Sequence, residues 1–357
     1  MVQRGYGTSK KVLFGAGAAI SSIFWPSFHR GTSVLLFKDA RPIGRNCFRC
    51  HPLRMTRHDS VPDSALNESS ASPPARAGLG LALGGGFAWG FAHLGVLQVL
   101  EQNHIPISHI AGTSVGSILG AAYASGAPLA RIIATCRTLR FRDIARWRVS
   151  RLGLASNHRL GELIERVFES RQFEDLRIPF AAVATDLSSG EPVIFTQGNL
   201  VDAIRASCAF PGLFQPVEIG TRCLADGGLV APVPTRAARE LGASSVLGIS
   251  VGMQDGYLGA PTNIFQVVSR AVSAAQKHQL EIWERDADLV LRPEVKSIAW
   301  DDFDRADEAI EAGATAARSA LPRIQKLLGQ KQESAQSMEA RLEAEDKSYL
   351  WLAEAVR

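Results

Sequence analysis

The chain has 357 residues, of which 46% are hydrophobic and 21% charged, and its formal net charge is +4. This composition is typical of globular proteins, and the length suffices for one large domain or two ordinary ones. The small net charge argues against a nucleic-acid-binding protein and against a protein built for acidic substrates. Five cysteines, an odd and sparse set, argue against a disulfide scaffold.

Positive charge is concentrated at the N-terminus, where residues 1–58 hold ten Lys or Arg and one acidic residue. Such a segment is typical of a targeting sequence, a membrane-surface arm or a disordered tail. The apolar positions 12–25 fall short of the roughly 20 that span a bilayer. They resemble the core of a signal peptide, without a clear cleavage site. We expect a cytoplasmic or peripheral-membrane protein, or an exported one if residues 12–25 act as a signal.

Two other features precede residue 78. Cys47 and Cys50 form Cys-Phe-Arg-Cys-His, the spacing of covalent c-type haem attachment. The surrounding segment lacks helical periodicity, so we favour a chance match inside a disordered basic arm. Residues 59–77 are rich in Ser, Pro and Ala and have few large apolar side chains. This pattern predicts a linker, with the folded domain beginning near Gly78.

From residue 78 onwards, apolar runs alternate with amphipathic segments. We predict strands at 78–84, at a short segment ending at Ala111, and at 179–187, 192–196, 244–251 and 287–291. We predict helices at 88–103, 115–126, 160–169, 199–208, 234–241, 262–285 and 303–328. Strands separated by helices favour βαβ units and a mostly parallel sheet covered on both faces.

The domain organisation follows from this alternation. We divide the chain into a basic, largely disordered arm and linker at 1–77, a folded α/β domain at 78–325 and a charged helical tail at 326–357. The tail has sparse apolar residues, which favours a solvated helix over one packed on a partner.

Three consecutive glycines, Gly84-Gly85-Gly86, stand between the first predicted strand and helix. A dinucleotide site would require G-x-G-x-x-G and an acidic residue about twenty positions later, at the end of a second strand. Trp89 occupies the third glycine position here, and Glu101 lies inside the predicted helix. No G-K-[ST] follows, which also argues against a P-loop.

A second motif points to different chemistry. Gly112-Thr113-Ser114-Val115-Gly116 is a G-x-S-x-G sequence between an apolar strand and a helix. In this context the glycines permit a sharp turn that lifts the serine oxygen out of the sheet. The following helix N-terminus offers N–H groups to a developing oxyanion. The motif therefore predicts a nucleophile elbow with Ser114 as the nucleophile.

A serine nucleophile needs a base, and the histidines are poorly placed for this role. A conventional triad has an acid and then a histidine after the serine, but the downstream histidines, His158 and His278, are typical of surface or core positions. Asp226 ends a predicted strand and precedes two glycines. This pattern is common in turns. Near a nucleophile, a desolvated aspartate could instead accept the serine proton directly.

Three motifs in this order, GGGFAWG, GTSVG and DGG, resemble the bacterial patatin-like phospholipase family. The segments FAHLGVLQVLE, ATDLSSGEPVIF and IRASCAFPGLFQPVEI resemble the family as well, so the likeness extends over about residues 78–325. The resemblance implies a three-layer α/β/α fold, a Ser-Asp dyad without histidine, and hydrolysis of fatty-acyl esters of (lyso)phospholipids or related lipids. It implies neither a metal nor a cofactor.

Carried onto this chain, the resemblance makes Ser114 the nucleophile and Asp226 the base. The remaining implied positions are the oxyanion-hole residues Gly84, Gly85, Gly86 and Phe87, the elbow glycines Gly112 and Gly116, and the DGG glycines Gly227 and Gly228. Asp186 in ATDL matches a recurrent family position that we interpret as structural. The expected partners are a lipid or ester substrate and a membrane surface, and no nucleic acid.

Two departures from the family pattern bear on the substrate. Trp89 stands where arginine is usual, and Phe87 replaces a small residue. Trp89 would either contact the lipid or pack behind the glycine loop, and we favour packing. The complete dyad argues for an enzyme. Two alternatives stay open: an acyltransferase that uses the same acyl-enzyme, and a non-catalytic lipid-binding regulator.

Overall fold

The computed structural model describes residues 78–147, 152–168, 170–252 and 260–355. The predictions for the basic arm, the apolar segment 12–25, Cys47 and Cys50, and the linker fall outside these residues. The described strands are β1 (Leu79–Leu83), β2 (Ile107–Thr113), β3 (Arg146–Trp147), β4 (Ala155–Ser156), β5 (Phe180–Asp186), β6 (Pro192–Phe195), β7 (Val217–Ile219), β8 (Arg222–Asp226), β9 (Ser245–Ile249) and β10 (Leu289–Leu291).

The strands form one large sheet and a separate β3–β4 pair. The order in the large sheet is β10-β9-β1-β2-β5-β8-β7, and β6 also pairs with β5. The run from β10 to β5 is parallel throughout. β6, β7 and β8 join it in antiparallel pairs. The predicted mostly parallel sheet is therefore confirmed.

The helices follow the strands in alternation. They are α1 (Ala92–Gln102), α2 (Val115–Ala124), α3 (Leu129–Thr138), α4 (Phe141–Ile144), α5 (His158–Val167), α6 (Leu200–Ser207), α7 (Thr235–Glu240), α8 (Ile264–Lys277), α9 (Leu280–Arg285) and α10 (Ala306–Ala355). Residues Phe87–Phe91 form a 3₁₀ turn before α1.

The single helix predicted at 262–285 is wrong, because the chain breaks there into α8 and α9. The N–H groups of His278 and Gln279 donate to the carbonyls of Ala275 and Gln276, at 3.1 and 3.0 Å. These bonds reach back three residues instead of four, which tightens the backbone and turns the chain.

The sheet is covered by helices on both faces. Leu79, Leu81 and Leu83 of β1 pack in an apolar cluster with α1, α2, α3 and α10. Ala82 belongs to a second cluster, with α7 and Trp283 of α9. Because successive residues of a strand point to opposite faces, the two clusters lie on opposite sides of the sheet. This is the three-layer α/β/α arrangement that the sequence predicts.

Helix α10 runs from Ala306 to Ala355 and crosses the boundary predicted at residue 326. The division into arm, domain and tail stays a prediction. Within the part of the chain that the structure describes, no helix has both the length and the apolar character to cross a bilayer.

Candidate active site

The candidate site lies where the parallel strands end. β1 and β2 are neighbours, so the glycine loop after β1 and the turn at Ser114 leave the sheet side by side. Thr113 pairs with Val183 of β5, and the next residue, Ala184, pairs with Asp226 of β8. The strand register therefore brings Asp226 to the same edge of the sheet as Ser114.

Ser114 occupies a strained turn between β2 and α2. Its φ of 54° and ψ of −125° lie in a region that residues with a side chain rarely adopt. A Cβ at Gly112 would lie 2.5 Å from the Gly116 carbonyl oxygen, and one at Gly116 would lie 2.1 Å from the Leu83 carbonyl oxygen. Both flanking positions therefore require glycine, and the strand, turn and helix have the geometry of a nucleophile elbow.

Ser114 and Asp226 line the same pocket, and the carboxylate of Asp226 is buried at the end of β8. The Gly228 N–H donates to Asp226 Oδ1 at 2.8 Å. Burial raises the pKa of Asp226 from 3.8 to about 6, and the Ser114 hydroxyl and the Gly228 N–H oppose this rise. A carboxylate with this pKa is a better base than an exposed aspartate and is still ionised at neutral pH.

A second serine holds the backbone of the nucleophile. The Ser114 N–H donates to Ser207 Oγ at 2.9 Å, and the Ser207 hydroxyl donates to the Val183 carbonyl at 2.6 Å. Ser207 is fully buried at the end of α6. The strained turn directs the Ser114 N–H away from the sheet, and Ser207 gives this N–H an acceptor. The two hydrogen bonds also connect the elbow to β5. Our sequence interpretation did not single out Ser207.

The glycine loop divides into an anchored and an open half. The Gly84 N–H donates to the Ile249 carbonyl at 3.0 Å, and the Gly85 N–H donates to the Pro232 carbonyl at 3.1 Å. Among the described residues, neither the Gly86 N–H nor the Phe87 N–H has a backbone acceptor. Of the four predicted oxyanion-hole residues, these two retain donors for a ligand.

The histidines that the structure describes do not line the pocket around Ser114. His93 is fully buried beneath the glycine loop, and its Nε2 hydrogen-bonds to the Gly84 carbonyl at 2.9 Å. Burial lowers the pKa of His93 to about 4, so the ring is neutral and acts as a donor to Gly84. Among the described residues that line the pocket there is no histidine.

Residues 298–300, which precede α10, clasp the open half of the loop. The Ala88 N–H donates to the Trp300 carbonyl at 3.0 Å, and the Trp89 indole N–H donates to the Ile298 carbonyl at 2.8 Å. The Phe87 ring packs edge-on against the rings of Phe210 and Trp300, with centroid distances of 5.5 and 4.9 Å. The hydrogen bond of its indole N–H thus holds Trp89 behind the loop, and the Trp89 side chain also lines the pocket.

Helix α8 forms the outer wall of the pocket. Ser269, Val272, Ser273 and Gln276 all line it. The Gln276 amide donates to the Gly228 carbonyl at 2.6 Å, and the Gln279 amide, just after the helix, donates to the Leu229 carbonyl at 3.1 Å. These two bonds attach the C-terminal end of α8 to the DGG segment.

The other reactive side chain near Ser114 is Cys208. Its Sγ lies 3.9 Å from Ser117 Oγ, and its thiol also hydrogen-bonds to Ser114. Burial and the Asp226 charge raise the pKa of the Cys208 thiol far above its usual value, so it remains protonated. Cys208 is therefore a poor nucleophile, and Ser114 is the favoured one. In the described residues, no cluster of His, Cys, Asp or Glu is arranged to hold a metal ion.

Residues 81–239, which contain the glycine loop, the elbow and the DGG segment, match the family model described as patatin-like phospholipase. This part of the chain is therefore similar to patatin-like phospholipases. The resemblance read from the three motifs is confirmed, and the patatin-like match begins inside β1 and ends inside α7.

Relatives of the patatin-like domain occur in bacteria, fungi and animals. An uncharacterised NTE family protein of Mycobacterium tuberculosis is 36% identical over 193 residues, which are 53% of this chain and 52% of that protein. Patatin-like phospholipase domain-containing protein 6 of Homo sapiens is 33% identical over 190 residues, 50% of this chain and 14% of that protein. Lysophospholipase NTE1 of Mycosarcoma maydis is 32% identical over 183 residues, 50% of this chain and 10% of that protein. The chain spans about half the length of the mycobacterial relative.

The patatin-like match supplies only part of the pocket. It includes Ser114, Ser207 and Asp226, whereas α8 and residues 298–300 lie beyond its end at residue 239. The outer wall and the clasp on the glycine loop thus come from sequence outside the match.

Proposed function

We propose that this chain is a serine lipid acyl hydrolase in which Ser114 is the nucleophile and Asp226 the general base. The observation that carries the proposal is a strained serine that shares its pocket with a buried carboxylate whose pKa is raised. This pairing provides an activated nucleophile next to its base. Because the base is a carboxylate, the reaction needs no histidine.

The proposed reaction has two halves. Asp226 accepts the Ser114 proton as Oγ attacks the ester carbonyl, and Asp226 then gives that proton to the leaving alcohol. The resulting acyl-enzyme is attacked by a water whose proton passes to Asp226, and the fatty acid leaves with Ser114 restored. No metal or cofactor takes part in the proposed steps.

The open half of the glycine loop is suited to hold the oxyanion. The N–H groups of Gly86 and Phe87, together with that of Val115 at the start of α2, are the donors that we assign to this role. One such donor is typically worth about 3 kcal/mol in the transition state. His93 and residues 298–300 fix the loop from opposite sides, which keeps these donors in place before the substrate binds.

The lining of the pocket favours recognition of the acyl chain over the head group. The lining includes large apolar side chains, namely Phe87, Trp89, Phe210, Leu229, Val272 and Trp300. Among the described lining residues Asp226 is the only charged one, and none of them is a cation that could bind a phosphate. This lining and the name of the fungal relative support (lyso)phospholipids or related lipid esters as substrates.

A panel of substrates tests the proposal. Purified protein is incubated with phospholipids, lysophospholipids, acylglycerols and short esters, with Ser114→Ala as the inactive variant. Ser269→Ala, which removes another serine that lines the pocket, is the matched control and should retain activity. A fluorophosphonate probe should label the wild type and the control but not Ser114→Ala. Equal hydrolysis by wild type and Ser114→Ala would refute the assignment.

A further inference from the structure

Helix α8 has two faces of different character. The inner face, formed by Ser269, Val272, Ser273 and Gln276, lines the pocket. The outer stripe, which we define as Ile264, Val267, Ala271 and Ala274, is exposed to solvent. At 100° per residue these two sets lie on opposite sides of the helix.

The exposure of the outer stripe is unusual for its composition. Ile264 is 71% exposed and Val267 is 47% exposed. Scattered apolar residues on a surface are ordinary, but a continuous stripe on one helix marks an interaction surface. None of the α8 side chains whose burial is described is buried, so the helix lies on the domain rather than within its core.

The charges of α8 indicate what the stripe contacts. The helix carries two cations, Arg270 and Lys277, and no acidic residue. Both cations border one side of the stripe, and such a stripe suits a membrane interface with anionic lipids, where amphipathic helices lie flat and bury their apolar face about 5–10 Å deep. An interface with a protein partner would more often have residues of both charges around an apolar centre.

The position of α8 places this stripe close to the candidate reaction centre. Near its N-terminal half, Val268 lies 3.8 Å from where a Cβ on Gly212 would be, two residues after the pocket residue Phe210. At its C-terminal end, Gln276 bonds to Gly228. The helix therefore passes across the pocket from one side to the other, and about one helix diameter, roughly 10 Å, separates the stripe from the pocket.

We propose that the outer stripe of α8 docks on the surface of an anionic phospholipid bilayer, with the pocket directly behind it. This inference rests on the proposed function, because it takes the substrate to be a lipid held in that bilayer. Docking shortens the path of an ester from the bilayer to Ser114 to about the thickness of one helix.

Vesicle flotation with the full chain tests the proposal. Wild type and the double variant Ile264→Ser/Val267→Ser are mixed with phosphatidylcholine vesicles, with and without phosphatidylglycerol. Ile282→Ser is the matched control, since Ile282 lies on α9 and is 63% exposed. Loss of two apolar side chains should weaken partitioning about tenfold or more, and the control should bind as wild type does. A repeat at about 1 M salt suppresses charge contacts of the basic arm.

The possible results separate docking from catalysis. Ser114→Ala should bind vesicles as well as wild type, and the double variant should hydrolyse a soluble short ester at the wild-type rate. Wild-type binding by the double variant would overturn the docking proposal, as would a stripe-dependent change of oligomeric state in light scattering. Absence of ester hydrolysis by wild type, with stripe-dependent binding intact, would instead overturn the proposed function alone.

Discussion

Replacing Asp226 by asparagine should stabilise the fold at neutral pH while it abolishes activity. The buried carboxylate has a pKa of about 6 in the folded chain, against 3.8 as its reference value. A carboxyl with a raised folded pKa favours the fold fully below pH 3.8, and this contribution is lost as the pH rises through about 6. At pH 8 the ionised Asp226 therefore costs the fold about 3 kcal/mol relative to its protonated form.

Asparagine removes this cost and preserves the local contacts. Its side-chain oxygen can still accept the Gly228 N–H, which now donates to Oδ1 at 2.8 Å. We expect Asp226→Asn to raise the free energy of unfolding by about 1–3 kcal/mol at pH 8 and by about 1.4 kcal/mol less at pH 5, where the folded chain holds the carboxyl largely protonated.

Urea unfolding of both proteins at pH 5 and pH 8 measures this difference. Asp186→Asn is the control, because Asp186 ends the neighbouring strand β5 and its carboxylate accepts the Ser188 N–H in a local turn. The control should not be more stable than wild type at pH 8. If Asp226→Asn is no more stable than wild type at pH 8, the carboxylate is not desolvated and our account of the base fails.

The remaining predictions concern catalysis. Because the pKa of Asp226 is about 6, kcat/KM should fall about tenfold per pH unit below pH 6 and stay level above it, as a pH–rate profile on a soluble ester will show. Ser114→Ala and Asp226→Ala should each abolish hydrolysis, and their double variant should lose no more than either one, in single-turnover assays. Ser207→Ala should raise the activation free energy of the kcat step by about 1–3 kcal/mol with little change in KM, because the Ser114 N–H loses its acceptor. An equal fall in kcat and KM would contradict this. Trp89→Phe keeps an aromatic ring but loses the hydrogen bond from the indole N–H to the Ile298 carbonyl, so kcat should fall alike for short and long esters. A rise in KM confined to long esters would favour lipid contact by Trp89 instead.

The sequence predicts the catalytic edge of the sheet because its signals are local. The glycine loop, the elbow and the DGG turn each combine a strand end with glycines, which unusual backbone conformations require. The predicted strands lie within two residues of the observed β1, β5, β6, β9 and β10. Helix α3 was missed although Leu129, Ile132, Ile133 and Cys136 form a buried face at helical spacing. There the signal was present in the sequence and we overlooked it.

The residues that hold the site together give no such local signal. Ser207 is recognisable only through its bonds to Ser114 and Val183, which lie on other elements. Likewise, the Ile298 and Trp300 carbonyls act through backbone atoms that any residue would supply. The engaged N–H groups of Gly84 and Gly85 could be distinguished from the open ones only once their acceptors, Ile249 of β9 and Pro232, were placed beside the loop.

The position of β1 between β2 and β9 has a consequence for when the candidate site is complete. The glycine loop is anchored by Ile249 at the end of β9 and clasped by residues 298–300, both of which are synthesised long after Ser114. Contacts between such distant segments form late in folding, since long loops must close first. A nascent or truncated chain that ends before Ile249 would therefore carry the nucleophile without a fixed oxyanion site. In the proposed hydrolase, hydrolytic competence is thus coupled to completion of the domain, which spares a growing chain from reacting with lipids before it has folded.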